Sequence, residues 1–171
     1  DTLPYDESDN KDDYIVSYDS SGYATTCIRD DELKDWFSAI NAKYKVLVFD
    51  SSYSEGMYKG IPAGQVSPNS EFMSDFTSTA ESMKDVSGTP YLILAACRGD
   101  EYSYMGVENS VFTKYLLEGL NSGSADTDHD TQISAEEAFY YAQPRSTAFI
   151  SVMHPQMYDG NPYYEVELAR C

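Results

Sequence analysis

The run Tyr91-Leu92-Ile93-Leu94-Ala95-Ala96-Cys97 limits the fold of this chain more than any other stretch. It is apolar almost without interruption, with Thr89-Pro90 before it and Arg98-Gly99-Asp100 after it. A strand with one wet face alternates apolar and polar residues. A continuous run predicts a strand buried on both faces, in a sheet with helices above and below. A second run, Val46-Leu47-Val48-Phe49, lies within residues 44–50 and ends at Asp50. Helical patterns flank both. In residues 28–40, Ile28, Leu33, Trp36, Phe37 and Ile40 recur at three- and four-residue spacing, with Asp30 and Asp31 near the start. Residues 70–86, 107–120 and 134–143 also read as helices, and residues 14–19 and 163–168 as short strands. Strands separated by helices predict an α/β fold with a mostly parallel central sheet, in one domain without internal repeats. Gly and Pro between residues 56 and 68 predict a long loop at its rim.

Charge narrows the partners. Eleven Lys and Arg against 29 Asp and Glu leave −18, which repels nucleic acid and anionic membrane surfaces and attracts cations. No apolar stretch approaches the roughly 18 residues of a membrane span, so membrane insertion is not expected. Cys27, Cys97 and Cys171 are odd in number, so at least one thiol is free or pairs between chains. Cys171, the last residue, is the candidate for an intermolecular disulfide.

The sharpest local motif is Asp126-Thr-Asp-His-Asp-Thr-Gln-Ile-Ser-Ala-Glu-Glu137. Asp126, Asp128 and Asp130 fall at positions 1, 3 and 5 of an EF-hand-like loop. Gln132 offers a backbone carbonyl at 7, Ser134 stands at 9, and Glu137 is the bidentate candidate at 12. Hard oxygen donors at alternate positions suit Ca²⁺, because the chain must wrap around the ion. Thr131 departs from the pattern, standing where Gly usually allows the sharp turn. Ser134 and Glu137 also form an S-x-x-E signature, which caps a helix with no metal at all.

After Phe49 the sequence Asp50-Ser-Ser-Tyr-Ser-Glu-Gly56 looks like a nucleophile loop at the end of a strand. With the segments after it, this loop resembles the caspase-like peptidases, the clan of caspases, metacaspases and legumains. VFDSSYSEGM is similar to their strand ending D-[SA]-C-[YH]-S-G. LILAACRGDEYSYM with SVFTKYLLEGL resembles the strand and helix that carry part of the specificity pocket. ADTDHDTQISAEEAFYYA and HPQMYDG are similar to the ending of prokaryotic members, and KDDYIVSYDS with IRDDEL to the acidic stretch after the catalytic histidine.

The resemblance implies a caspase-like three-layer sandwich, with residues 1–171 as its C-terminal part. The first strands and the histidine loop are then expected upstream of Asp1. It also implies that the family's catalytic cysteine falls at Ser52, whose hydroxyl stays protonated at neutral pH without an adjacent base. His129 and His154 lie elsewhere, and nothing in the sequence brings either to Ser52. In the implied pocket, Met105 replaces an acidic residue that serves basic side chains, while Asp50 remains. The family's second cation site carries over onto Asp30 and Asp31, completed by Asp13 or Asp19.

Besides a serine-dependent hydrolase using Ser52 and His154, which nothing in the sequence supports, two readings follow. One is a catalytically inactive domain, extracellular or at the cell surface, that binds Ca²⁺ and works in structure, self-assembly or interaction. A protein partner or N-terminal fragment would complete its sheet. The other is the C-terminal chain of a processed, Ca²⁺-dependent caspase-like cysteine endopeptidase whose nucleophile has been mutated to Ser52.

Overall fold

The computed structural model describes residues 14–15, 27–29, 32, 36–37, 39–52, 91–98, 101–160 and 162–171. Its centre is a three-stranded sheet of β3 (Lys45–Phe49), β4 (Tyr91–Ala95) and β6 (Gln156–Asp159), with β4 in the middle. β3 and β4 run parallel, from Lys45 opposite Tyr91 to Phe49 opposite Ala95. β6 runs antiparallel to β4, from Leu92 opposite Asp159 to Ala95 opposite Gln156. The described sheet is therefore mixed, where a mostly parallel one was expected. Two helices, α1 (Val111–Ser122) and α2 (Ala135–Phe149), separate β4 from β6, and the chain re-enters the sheet from its other end. A single crossover helix would have returned it parallel.

The apolar run at residues 92–97 is buried throughout. Leu92, Leu94, Ala96 and Cys97 pack in one cluster with Val111, Phe112 and Leu116 of α1 and Ala138, Phe139 and Ala142 of α2. Phe112 meets Phe139 edge-on, ring centroids 6.2 Å apart, an arrangement that favours the aromatic quadrupoles. Leu47 and Ile93 are also buried but lie outside that cluster, so both faces of the sheet are covered at its centre. The helices approach closely at Gly119, where a Cβ would stand 2.8 Å from the Tyr141 ring.

α1 begins at Val111 and ends at Gly123, whose φ of +71° closes the helix in the left-handed region that glycine occupies without strain. α2 starts on the expected capping box at Ser134. It runs through Pro144 to Phe149, well past the expected end at Gln143, so the proline sits inside a helix that is held by the core on its buried face.

Two further differences concern the ends of the chain. Ile28 lies in strand β2 (Ile28–Arg29), paired antiparallel with β1 (Tyr14–Ile15), not in a helix. Helical residues occur from Glu32 onward. Trp36 and Ile40, expected on a buried face, are 54% and 46% exposed. At the other end, the strand expected at residues 163–168 is β7 (Glu167–Arg170), which pairs with the short β5 (Gln132–Ser134). The expected loop at 56–68 and helix at 70–86 lie outside the described residues. Among the described residues no helix is long and apolar enough to cross a membrane.

Phe112 is fully buried at the centre of the helix–sheet contact. Phe112→Ala is expected to destabilise by about 3–5 kcal/mol, a fall in Tm of roughly 10 °C in a domain of this size, measured by thermal unfolding.

Candidate functional site

The end of β3 and the start of α1 meet at Asp50. Its carboxylate accepts hydrogen bonds from Ser103 Oγ at 2.6 Å, from Thr113 N at 3.0 Å and Thr113 Oγ1 at 2.5 Å, and from Ser110 Oγ. Ser110 is the N-cap residue of α1, yet its side chain makes no cap bond. Asp50 performs that task from another element, placing a negative charge at the positive end of the helix. The carboxylate that the sequence suggested for a basic-side-chain pocket is thus largely engaged within the protein.

Ser52 lies in the turn immediately after Asp50, and its Oγ accepts the backbone N–H of Ser103 at 3.2 Å. Cys97, buried at the end of β4, donates its thiol to Ser51 O and Glu101 O. The segment 101–110 therefore forms a wall beside Ser52. Val111 N donates to Tyr104 O and Gly106 N to Asn109 O, folding that wall back on itself. Met105 sits at its turn with 79% of its surface exposed.

Neither histidine hydrogen-bonds Ser52 among the described residues. His154 is clamped by Glu101, its Nδ1 2.6 Å from Oε1 while its backbone N–H donates to Oε2 at 2.8 Å. His129 lies in the acidic loop, its backbone N–H donating to Asp126 Oδ1 at 2.7 Å.

That loop folds on its own carboxylates. Asp126 Oδ2 accepts from Thr131 N, Asp128 Oδ1 from Asp130 N, and Asp130 Oδ1 from Gln132 N. These bonds bring ligand oxygens of Asp126, Asp128 and Asp130 within 4.8 Å of one another. His129 and Thr131 adopt φ of 65° and 73°, the left-handed region. A β-branched residue there is strained by about 1–3 kcal/mol. Thr131 takes this conformation at the position where a loop of this type ordinarily carries glycine, so the threonine changes the energy of the turn and not its path.

The other expected ligands are turned to different work. Gln132 Nε2 donates to Asp130 Oδ2 at 3.0 Å. Ser134 and Glu137 bind each other reciprocally as the cap of α2. Glu137 also accepts from Thr127 N at 2.8 Å and Thr127 Oγ1 at 2.9 Å. It thereby ties the entry of the loop to the helix that follows. The three convergent carboxylates are a group that could hold a cation through hard oxygen donors; Ser134 and Glu137 already have protein partners. Asp13, Asp19, Asp30 and Asp31, the second expected cation site, lie outside the described residues. Cys171 is exposed, its Sγ 3.9 Å from Gly123 O.

The family model of the caspase domain matches residues 5–143. The chain belongs to the caspase-domain family. The match extends into α2 and so includes Asp50, Ser52, the wall at 101–110 and the whole acidic loop. Comparison with curated proteins and with solved structures gives no match. Within this caspase domain, Glu101, Ser103, Ser110 and Thr113 were not singled out as site residues from sequence. Their signal was weak: Ser110 before the apolar run of α1 reads as an ordinary N-cap, and its connection to Asp50 spans sixty residues.

Removing the Asp50 carboxylate leaves several donors without an acceptor. Asp50→Ala is expected to destabilise by about 2 kcal/mol and Asp50→Asn by less, both read from urea unfolding.

Glu137 responds to acid. Burial pushes its carboxyl up, but hydrogen bonds from Ser134 and Thr127 outweigh that and hold it below the usual 4.5. The ionised group therefore stabilises the fold above about pH 4.5, and that contribution disappears as pH falls through the lowered value. Glu137→Ala is expected to lose about 1–2 kcal/mol at neutral pH. It should also show a smaller further loss than the wild type as the pH falls below 4.5, measured by urea unfolding at each pH.

Proposed function

We propose that this caspase domain is catalytically inactive and serves as a Ca²⁺-binding structural or interaction module outside the cell. Ser52 carries the reading. At the place the resemblance assigns to the family's cysteine, the chain has an alcohol whose oxygen accepts a backbone N–H. No imidazole is hydrogen-bonded to it among the described residues. A serine hydroxyl without a neighbouring base is a poor nucleophile at neutral pH. The exposed Met105 and the engaged Asp50 fit the same reading, because a pocket for basic side chains has little free negative charge left in it.

The Ca²⁺ part rests on the Asp126, Asp128 and Asp130 oxygens. A formal charge of −18 keeps such a chain soluble while making cation binding favourable. Assembly involves a partner or N-terminal fragment that completes a three-layer caspase-like sheet, and a disulfide between chains through the exposed Cys171. The acidic loop and the HPQMYDG segment resemble the ending of the family's prokaryotic members.

A second reading is favoured by the intact surroundings of Ser52. The strand end, the Asp50 network and the Ser103 amide all remain, as they would in the C-terminal chain of a Ca²⁺-dependent cysteine endopeptidase whose cysteine has been replaced.

One experiment separates them. The wild-type chain and Ser52→Cys are incubated with a mixed peptide library, with and without Ca²⁺, while Tm is followed in parallel. Inactivity predicts no cleavage by either protein. Ca²⁺ is expected to raise the Tm of both, and Asp128→Ala to abolish the rise. Cleavage by wild type would overturn inactivity, and cleavage by Ser52→Cys alone would establish the peptidase reading. An unchanged Tm would remove Ca²⁺ from the proposal.

A further inference from the structure

Tyr44 immediately precedes β3, and Tyr164 lies in the turn before Val166, far apart in sequence. Their rings are stacked, with centroids 4.4 Å apart and planes only 12° from parallel. The ring pairs around the helices, Phe112–Phe139, Tyr115–Phe149 and Phe139–Tyr140, are all edge-on and each includes a phenylalanine. Tyr164 is 45% exposed and Tyr44 half-buried, so the stack can be reached from solution. The Lys43 ammonium lies 4.8 Å from the Tyr44 ring centroid and 5.8 Å from that of Tyr164.

Stacking by itself is an ordinary way to cover apolar ring surface. What distinguishes this pair is two phenols, face to face, with a cation beside them. We propose that Tyr44 and Tyr164 form an oxidative coupling site, at which a haem peroxidase with peroxide joins the two rings through an ortho–ortho carbon bond.

The chemistry balances. Each phenol gives up one electron and one proton to become a phenoxyl radical, and the two electrons and two protons reduce one peroxide to two waters. The radicals combine at ortho carbons, and the two ortho hydrogens shift to the oxygens as the rings regain aromaticity. The product is a biphenol lighter by two hydrogen atoms. Face-to-face rings place the radicals in contact before either diffuses away, so the second oxidation is followed by coupling and not by escape.

The surroundings act on the two phenols in opposite directions: that of Tyr44 is held below its ordinary value, with the Lys43 ammonium beside it, and that of Tyr164 above its own. The bond would fasten the entry of β3 to the turn that leads into β7, two places that no strand pairing joins among the described residues. This inference is independent of whether Ser52 is a nucleophile.

The test uses the full chain, dilute, with horseradish peroxidase and hydrogen peroxide. The monomer fraction is isolated, its blue biphenol fluorescence recorded, and its digest mapped by mass spectrometry. The proposal predicts a linked peptide containing residues 44 and 164, lighter by two hydrogens, and a higher Tm for the linked monomer. Tyr44→Phe and Tyr164→Phe each keep a stacked ring while removing one phenol, and each is expected to abolish the monomer fluorescence. The chain has 16 tyrosines, so the mapped position decides the matter. A monomer without the 44–164 peptide, or with fluorescence unchanged in Tyr44→Phe, would overturn the proposal.

Discussion

A single carboxylate at the end of β3 holds the region around Ser52 together. Asp50 takes hydrogen bonds from the wall at Ser103 and from the first turn of α1 at Ser110 and Thr113. The sheet, the rim and the helix therefore converge on one charged group. A helix N-terminus has unpaired N–H groups and a positive dipole, and an acidic side chain from another element answers both. Ser52, two residues further on, inherits its position from this arrangement, because the Ser103 amide that it accepts belongs to the same wall. The geometry around Ser52 is consequently maintained by structural need, whether or not chemistry takes place there.

Much of the centre was legible in the sequence, for a simple reason. Residues 92–97 are apolar without alternation and are buried throughout, as a strand covered on two faces must be, whereas the equally apolar 46–49 leaves Val48 48% exposed. The capping box at Ser134 and Glu137 was equally readable, since both halves of it lie within one turn. Long-range pairing was less so. β5 and β6 are three and four residues long, too short to show a period, and they exist because β7 and β4 offer them edges. Ile28 carried a helical spacing, yet its backbone pairs with Ile15. The helical pattern read from sequence ended at Gln143, but the packing of Phe139 and Ala142 before Pro144 and Ser146 beyond it keeps α2 in place to Phe149.

The candidate site was legible in part. The positions of Asp126, Asp128 and Asp130 follow directly from their spacing, and their oxygens do converge. What spacing could not reveal is competition for the same groups. Glu137 reads equally well as a metal ligand and as a helix cap, and the backbone amides near it supply it with partners from the protein itself. Asp50 presents the same ambiguity, since a carboxylate at a strand end looks alike whether it faces a substrate or a helix terminus. Burial and donor geometry distinguish these cases, and neither is encoded locally.

The pairing of β5 with β7 gives the acidic loop an unusual dependence. Ile133 lies opposite Ala169, and the amide of Cys171 donates to the carbonyl of Thr131, the residue held in a left-handed turn. The strained turn is thus clamped by a strand that approaches from outside the loop. Were that strand to peel away, Thr131 would be free to relax, and the carboxylates would lose the turn that gathers them. The β7 segment behaves as a latch on the loop, and whatever pulls on the latch is felt by any ion the loop holds.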